Sequence, residues 1–435
     1  MKLLISKGRN RYRFYALFLL LLLSLFLDYT LQISIPSLVY IVLLMCAALL
    51  GDQDEIISVC ICCIPLCTAI EWHYIVIFCI AVLLFKYGRH IKLDSGVLPL
   101  FLIVIWEVMH CFSGGANLKM IIAYLFLYLF FVVMFFLSDM RTIDYGFIVR
   151  NFAIAVFWVC CVLVLRLLIH NKFNFDIAFL DMQRLGLADE EIGGMIINPN
   201  ALGVQCVLAV GGLMQMRSSG QKRVFDALLM ISILVLGALT CSRTYVACLF
   251  ILVVFLFIVS DIGAKERFKL LLGSLAALLI SVVLLYLVFP VALETFIQRW
   301  TAEDLTSGRN ALFVAYNDYL FSSVKACLWG LGSLNLDSKV MQLSIANNVP
   351  HNGIQEILVA WGIIGLVLFV AMILVLMRRS KQENPHQTWG NYSLFIVLIS
   401  KIMVGQVITS DYTMLSFALI YLSLCQDCSN EKDYK

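Results

Sequence analysis

The chain has 435 residues, of which 62% are hydrophobic and only 14% charged, and its formal net charge is +3. Soluble domains are about 25% charged and about 45–50% apolar, so this composition, with a mean hydropathy of +0.96, excludes an ordinary soluble protein. Apolar runs recur from Phe14 to Leu424. Because helices satisfy their own backbone in lipid, we predict an all-α polytopic membrane protein with a single integral membrane domain over residues 1–435.

The predicted spans follow the apolar runs in chain order. They lie near 15–32, 36–50, 56–70, 74–85, 96–112, 120–138, 147–169, 199–216, 225–240, 244–260, 268–290, 353–377, 391–409 and 412–425. This gives about 14 crossings, or roughly 12 or 13 if the shortest runs do not cross. With the N-terminus in the cytoplasm, every strong basic cluster falls on the cytoplasmic side, as the positive-inside rule requires. The C-terminus is then cytoplasmic as well.

A polar exterior segment is predicted between the spans 147–169 and 199–216. It carries Arg184 among several acidic residues and ends in the motif NPNALG, which begins at Asn198 and includes Asn200. Proline and glycine in such a motif punctuate the entry into a helix. Arg184 and Asn200 are therefore candidates for ligand contacts at the outer surface.

Arg243 lies in the sequence CSRT, between two apolar spans with almost no loop. This topology places it on the exterior side, where the positive-inside bias does not call for a basic residue. The planar guanidinium matches phosphate oxygens. The alternative is a snorkelling anchor at a helix end, but the neighbouring Ser242 and Thr244 favour a binding site.

A long exterior loop is predicted over residues 291–351, and it contains Arg299, Arg309 and a GLGS turn. Within it, Leu312, Tyr316, Tyr319 and Leu320 recur at helical spacing, while Arg309, Asn310, Asn317 and Asp318 are polar. This pattern predicts an amphipathic helix at the membrane surface. The alternative for Arg309 is an ordinary solvated loop charge.

His351 follows a proline and precedes Asn352 at the predicted start of a membrane helix. A helix N-terminus favours negative charge, and histidine, with an unperturbed pKa of about 6.5, can act as a general base. The alternative is a capping or packing histidine. Glu356 lies one and a half turns further on, where it would orient the imidazole or lie at the interface.

Three polar residues lie inside predicted spans: Glu107, His110 and Lys401. Ionisable groups at membrane depth suggest function, so they either pair with one another or line a transport path. The sequence has no P-loop, dinucleotide fingerprint or H-E-x-x-H motif. Its lone C-x-x-C, Cys425 and Cys428, is weak evidence for zinc. We therefore predict no metal site, no cofactor and no nucleic-acid partner.

The motifs CSRT, SGRN, GLGS, PHNGIQE and WGIIGL occur in that order from about Arg243 to Val370. Together they resemble the superfamily of O-antigen ligases and Wzy-type O-antigen polymerases, with NPNALG as further support. The first 150 residues are similar to the superfamily only in being hydrophobic.

The resemblance implies a metal-independent, GT-C-like glycosyltransferase of the bacterial inner membrane, with its active site on the exterior face. Its donor and acceptor would be undecaprenyl-diphosphate-linked oligosaccharides, and membrane lipid and a chain-length regulator protein are further candidate partners. Arg243 and Arg309 would hold the diphosphate, and His351 would be the base. Arg184, Asn200, Arg299, Asn352 and Glu356 would contact substrate or orient the imidazole.

Three functions remain open at this point. A polymerase of O-antigen or capsule type is favoured over a ligase acting on lipid A core, because about 14 crossings fit the polymerase better than the ligase's usual number. A flippase or secondary transporter is the third possibility. Against it, the sequence lacks paired Gly/Pro-broken spans in two matching halves.

Overall fold

The computed structural model describes residues 2–66, 72–88, 98–111, 143–174, 185, 197–218, 223–259, 290–301, 309–332, 352–383 and 392–404, with a few positions between 265 and 287. These residues form helices joined by turns and contain no strand. The helices are α1 (Lys2–Leu25, continued by a π-helical turn, Phe26–Thr30), α2 (Ser37–Leu50), α3 (Gln53–Leu66), α4 (Trp72–Tyr87), α5 (Leu98–Cys111), α6 (Tyr145–His170), α7 (Pro199–Ser218), α8 (Val224–Ala238), α9 (Arg243–Val259), α10 (Pro290–Thr301), α11 (Arg309–Phe321), α12 (Val324–Trp329), α13 (Gly353–Glu383) and α14 (Ser393–Val404). The predicted all-α class is confirmed.

Several helices are apolar enough to lie in a bilayer. Among the described residues, three stretches have the length and composition to cross a membrane: Arg11–Thr30, Tyr145–His170 and Gly353–Val375. Six shorter apolar helices of 10–17 residues accompany them. The predicted spans 120–138 and 412–425 lie outside the described residues. These helices support a membrane protein, while the number of crossings stays a prediction.

Helices α3, α6 and α7 form the centre of the bundle. Helix α6 packs against α3, α7 and α8, and α7 also packs against α9 and α14. Every residue of α3 from Asp54 to Leu66 is buried. Small residues permit these close contacts, as in other membrane bundles: a Cβ added at Gly212 on α7 would lie 2.8 Å from Val149 on α6.

Ion pairs collect at one end of the bundle. Arg11 on α1 donates to Asp144 at 2.7 Å, and Arg150 on α6 makes two hydrogen bonds to Asp226 on α8, at 2.9 and 3.1 Å. The Lys86 ammonium donates to the backbone carbonyls of residues 49 and 51. Residues that the predicted topology assigns to the cytoplasmic side thus meet at the same end, although the side itself stays a prediction.

Helix α13 is broken inside its apolar region. Gly362 has φ 67 and ψ −171, a left-handed conformation that glycine adopts without steric cost. The break frees backbone carbonyls, and the predicted GLGS turn supplies donors to them. Leu331 N donates to Val359 O at 2.9 Å, and Gly332 N donates to Ala360 O at 2.6 Å. The turn after α12 therefore closes against the break.

Helix α5 holds the other side of this break. The Trp106 indole donates to Trp361 O at 3.2 Å, and the Trp361 indole donates to the Glu107 carboxylate. The two ring nitrogens of His110 lie 2.7 Å from Trp106 O and 3.0 Å from Trp329 O. Glu107 and His110, predicted as intramembrane polar residues, therefore contact the broken helix and the end of α12.

Candidate functional site

The turn between α8 and α9 brings two predicted motifs together. Ser242 is 1% exposed and caps α9, because its Oγ accepts a hydrogen bond from Tyr245 N at 3.2 Å. The same hydroxyl donates to Asn200 Oδ1 at 2.8 Å. Hence the NPNALG motif at the start of α7 lies directly against the CSRT motif at the start of α9.

Arg243 is the first residue of α9, between the buried Ser242 and Thr244, and is itself half-buried. It therefore lies at the helix end, next to the Ser242–Asn200 hydrogen bond. Gly203, one turn into α7, allows the approach: an added Cβ would lie 2.8 Å from Tyr245 Cβ and 3.3 Å from Ser242 Cβ. Close packing of α7 on α9 therefore fixes the position of the first turn of α9, which begins at Arg243.

The first predicted exterior segment also reaches this turn. Leu185 is buried, and its backbone N donates to Leu239 O at 3.0 Å, in the turn between α8 and α9. Arg184 itself lies outside the described residues.

A helix, α11, is confirmed where the long loop is predicted to form one, and Phe313 and Val314 are exposed on it. Its place at the membrane surface stays a prediction. Leu312, Tyr316 and Leu320 are buried, whereas Asp318 on the other face is exposed. Arg309 is the first residue of α11, and Arg299 lies in α10. The side chains of these two arginines lie outside the described part of the chain.

The start of α13 is a capped helix end. Asn352 Oδ1 accepts from Ile354 N at 3.0 Å and from Gln355 N at 3.2 Å, and Asn352 O accepts from Glu356 N at 2.8 Å. Side-chain capping of this kind satisfies the free N–H groups of a first turn. The structure thus gives Asn352 a capping role, and its predicted substrate contact stays a prediction. His351 lies outside the described residues.

Gln355 joins α13 to the loop helix and is absent from the predicted site residues. It is buried, and its Nε2 donates to Phe313 O at 2.7 Å and to Asn317 Oδ1 at 3.0 Å, both on α11. The helix that begins at Arg309 is therefore fastened to the helix that begins just after His351. Its position in PHNGIQE was the only signal in the sequence.

Glu356 and Lys401 form the buried charged centre of this region. Glu356 is 0% exposed and Lys401 on α14 is 8% exposed. Lys401 interacts electrostatically with the Glu356 carboxylate and with Cys248 on α9. Glu107 accepts a hydrogen bond from Trp361, whereas Lys401 lies on a helix that packs against α13 and is within the electrostatic field of Glu356.

Helix α14 connects the region around the start of α9 with α13, because it packs against α7, α9 and α13. Cys248 lies five residues beyond Arg243, which is about 7.5 Å along the helix, and Glu356 lies about 6 Å beyond Asn352. The Glu356–Lys401 pair is thus one turn or slightly more inside the ends that carry Arg243 and Asn352. Among the described residues, no group of three His, Cys, Asp or Glu side chains could hold a metal ion.

Comparison with protein-family models and with curated proteins finds no match for this chain. Membership of a family is therefore not shown by similarity over the whole chain.

Proposed function

We propose that this protein is a polysaccharide polymerase of O-antigen or capsule type in the bacterial cytoplasmic membrane. It would transfer an undecaprenyl-diphosphate-linked glycan onto a lipid-linked repeat unit at the outer face. The observation that carries the proposal is the 2.8 Å hydrogen bond from Ser242 to Asn200. It joins two separate motifs of the resemblance beside Arg243, at a helix end suited to an anion.

The proposed reaction needs cations at the leaving group. The acceptor hydroxyl oxygen attacks the anomeric carbon of the donor, the bond from that carbon to the diphosphate oxygen breaks, and undecaprenyl diphosphate leaves with the electron pair. Arg243 and Arg309 would bind the diphosphate and stabilise its growing charge, an effect worth about 10²–10³ in rate for one preorganised donor. Arg184, Arg299 and Asn200 would contribute further contacts to the anion or the acceptor.

A general base must take the proton of the acceptor hydroxyl. His351 would do so, contributing about 10²–10⁴ in rate, and its neighbour Asn352 caps the helix that follows. Gln355 fastens the Arg309 helix to the same helix, which supports placing the base and one phosphate ligand in one site. Glu356, one turn further along, would steady this end of α13.

The amphipathic helix α11 supports a lipid-linked substrate. Its buried face packs on the protein through Leu312, Tyr316 and Leu320, while Phe313 and Val314 are exposed apolar side chains. Such a helix at a membrane surface would leave a path along which a polyprenyl chain stays in the bilayer. The partners would be the lipid-linked donor and acceptor, membrane lipid, and a chain-length regulator.

The break in α13 bears on the competing transporter. Broken membrane helices in transporters use freed carbonyls to coordinate ions. Here Val359 O and Ala360 O accept from the GLGS turn, and Trp361 O accepts from Trp106. Carbonyls that already accept protein hydrogen bonds favour a structural break, and therefore the enzyme over an ion-coupled transporter.

A deletion strain separates the proposed polymerase from its rivals. Surface glycan resolved by gel, with a test of which membrane face carries the lipid-linked repeats, is the measurement. The expected result is glycan that stops at a single repeat, on the lipid A core for an O-antigen or at the cell surface for a capsule. Polymer stranded on undecaprenyl diphosphate would indicate a ligase, and repeats trapped at the cytoplasmic face would indicate a flippase.

A further inference from the structure

Lys401 is a buried cation that the proposed mechanism does not use. It lies on α14 and is 8% exposed, and the carboxylate of Glu356 on α13 is fully buried. Isolated charges in such surroundings are costly, and in membrane segments they pair with one another or mark function. Helix α14 packs against α13 and α9, which brings the Lys401 ammonium into the electrostatic field of the Glu356 carboxylate and of the Cys248 thiol.

Glu356 and Lys401 lie on helices whose positions in the bundle are fixed by further contacts. Glu356 N makes the first hydrogen bond of α13, to Asn352 O at 2.8 Å, so the depth of Glu356 sets the depth of that first turn. Cys248 lies on the helix that begins at Arg243. Helix α14 is itself fixed in the bundle, where Ser393 Oγ donates to Gly211 O at 3.0 Å on α7.

We propose that Lys401 is a positioning residue, which holds Glu356 and thereby fixes the first turn of α13 relative to the start of α9. It touches no substrate and acts only through Glu356. The inference rests on the proposed function for its effect on polymer formation, whereas the ion pair itself is testable without any activity.

The first arm measures thermal unfolding of the purified full-length protein in detergent. Lys401→Met and Glu356→Gln each leave one buried charge uncompensated, so each should lower Tm by roughly 3–6 °C. The double variant removes both charges and should recover most of that loss. Lys325→Met, at an exposed position on α12, is the matched control and should leave Tm unchanged. Single variants without effect, or a double variant as unstable as either single one, would contradict the ion pair.

The second arm measures polymer formation by the same variants in a deletion strain. Both single variants and the stable double variant should lose polymer by about tenfold or more, because neither neutral side chain fixes the other. Lys401→Arg keeps the charge and should restore polymer to near wild-type yield. If the double variant makes a normal amount of polymer, the ion pair contributes to stability alone and the positioning role is overturned. Lys401→Arg with normal Tm and no polymer would show that the ammonium itself is required, which also overturns positioning.

The two arms fail separately. If the deletion strain carries a normal glycan ladder, the proposed function is wrong, and the Tm cycle still decides whether the ion pair exists. If the ladder is lost on deletion but survives in all variants of Lys401 and Glu356, the polymerase stands and the positioning inference is overturned.

Discussion

Ser242 shows how one side chain can join two distant segments. Its hydroxyl accepts from Tyr245 N and donates to Asn200 Oδ1, so it caps α9 and fastens α7 at once. The bond from Tyr245 N is buried and the bond to Asn200 is part-buried, and a buried polar atom without a partner costs about 1–3 kcal/mol. The residue before Arg243 is therefore more constrained than an ordinary cap.

Replacing Ser242 and Asn200 tests this coupling. Ser242→Ala should destabilise the protein by about 1–2 kcal/mol, and Asn200→Ala by about 1 kcal/mol. The double variant should cost less than the sum, because the two residues share one hydrogen bond. Denaturant unfolding in mixed micelles measures the cycle. Ser322→Ala is the control, because the Ser322 hydroxyl is exposed and, among the described contacts, donates only to Tyr319 O at the end of α11. Strictly additive effects would exclude the Ser242–Asn200 contact.

At the scale of elements, the sequence predicted long helices well and their interruptions poorly. The predicted spans 147–169 and 353–377 correspond to α6 and α13, since each is one long apolar run. The break at Gly362 escaped prediction because a single glycine in an apolar helix is usually tolerated. Tertiary contacts accompany the break: the GLGS turn donates to it, and Glu107 is 254 residues from its partner Trp361.

Gly362→Ala tests the break. A Cβ at this position would overlap Leu328 O, and φ 67 is unfavourable for alanine, so the substitution should destabilise by more than about 1 kcal/mol. The comparison is Gly273→Ala, where an added Cβ meets none of the described residues within 4 Å. Tm in detergent and abundance in membranes are the readouts. Equal behaviour of the two variants would argue against a left-handed Gly362.

Gln355→Ala tests the attachment of α11 to α13. Losing both hydrogen bonds to Phe313 and Asn317 should reduce polymer several-fold, because the helix that begins at Arg309 is no longer held at the helix that follows His351. Gln298→Ala is the matched control, since Gln298 is exposed and bonds to Glu294 within α10. Glycan gels with membrane abundance give the measurement. Normal polymer in Gln355→Ala would mean that this attachment is dispensable.

At the scale of the whole molecule, the membrane topology was predicted from the positions of the basic residues. Basic clusters predict a topology, and the sides of the membrane stay a prediction. In the structure, Arg11 and Arg150 pair with carboxylates at one end of the bundle, and Asn200 contacts Ser242 at the other. The electrostatic interaction of Lys401 with Glu356 was not predictable, because it depends on how α14 packs between α9 and α13. Motif order suggested the site, but only packing could reveal which polar groups share it.

The most direct test of the central claim is the glycan profile of a deletion strain that carries Arg243→Ala, Arg309→Ala or His351→Ala. Each variant should abolish polymer while the protein stays in the membrane at normal abundance, because each removes a phosphate ligand or the base. Arg378→Ala, at an exposed position on the far half of α13, should keep the ladder. An unchanged glycan ladder in all three site variants would contradict the proposed mechanism.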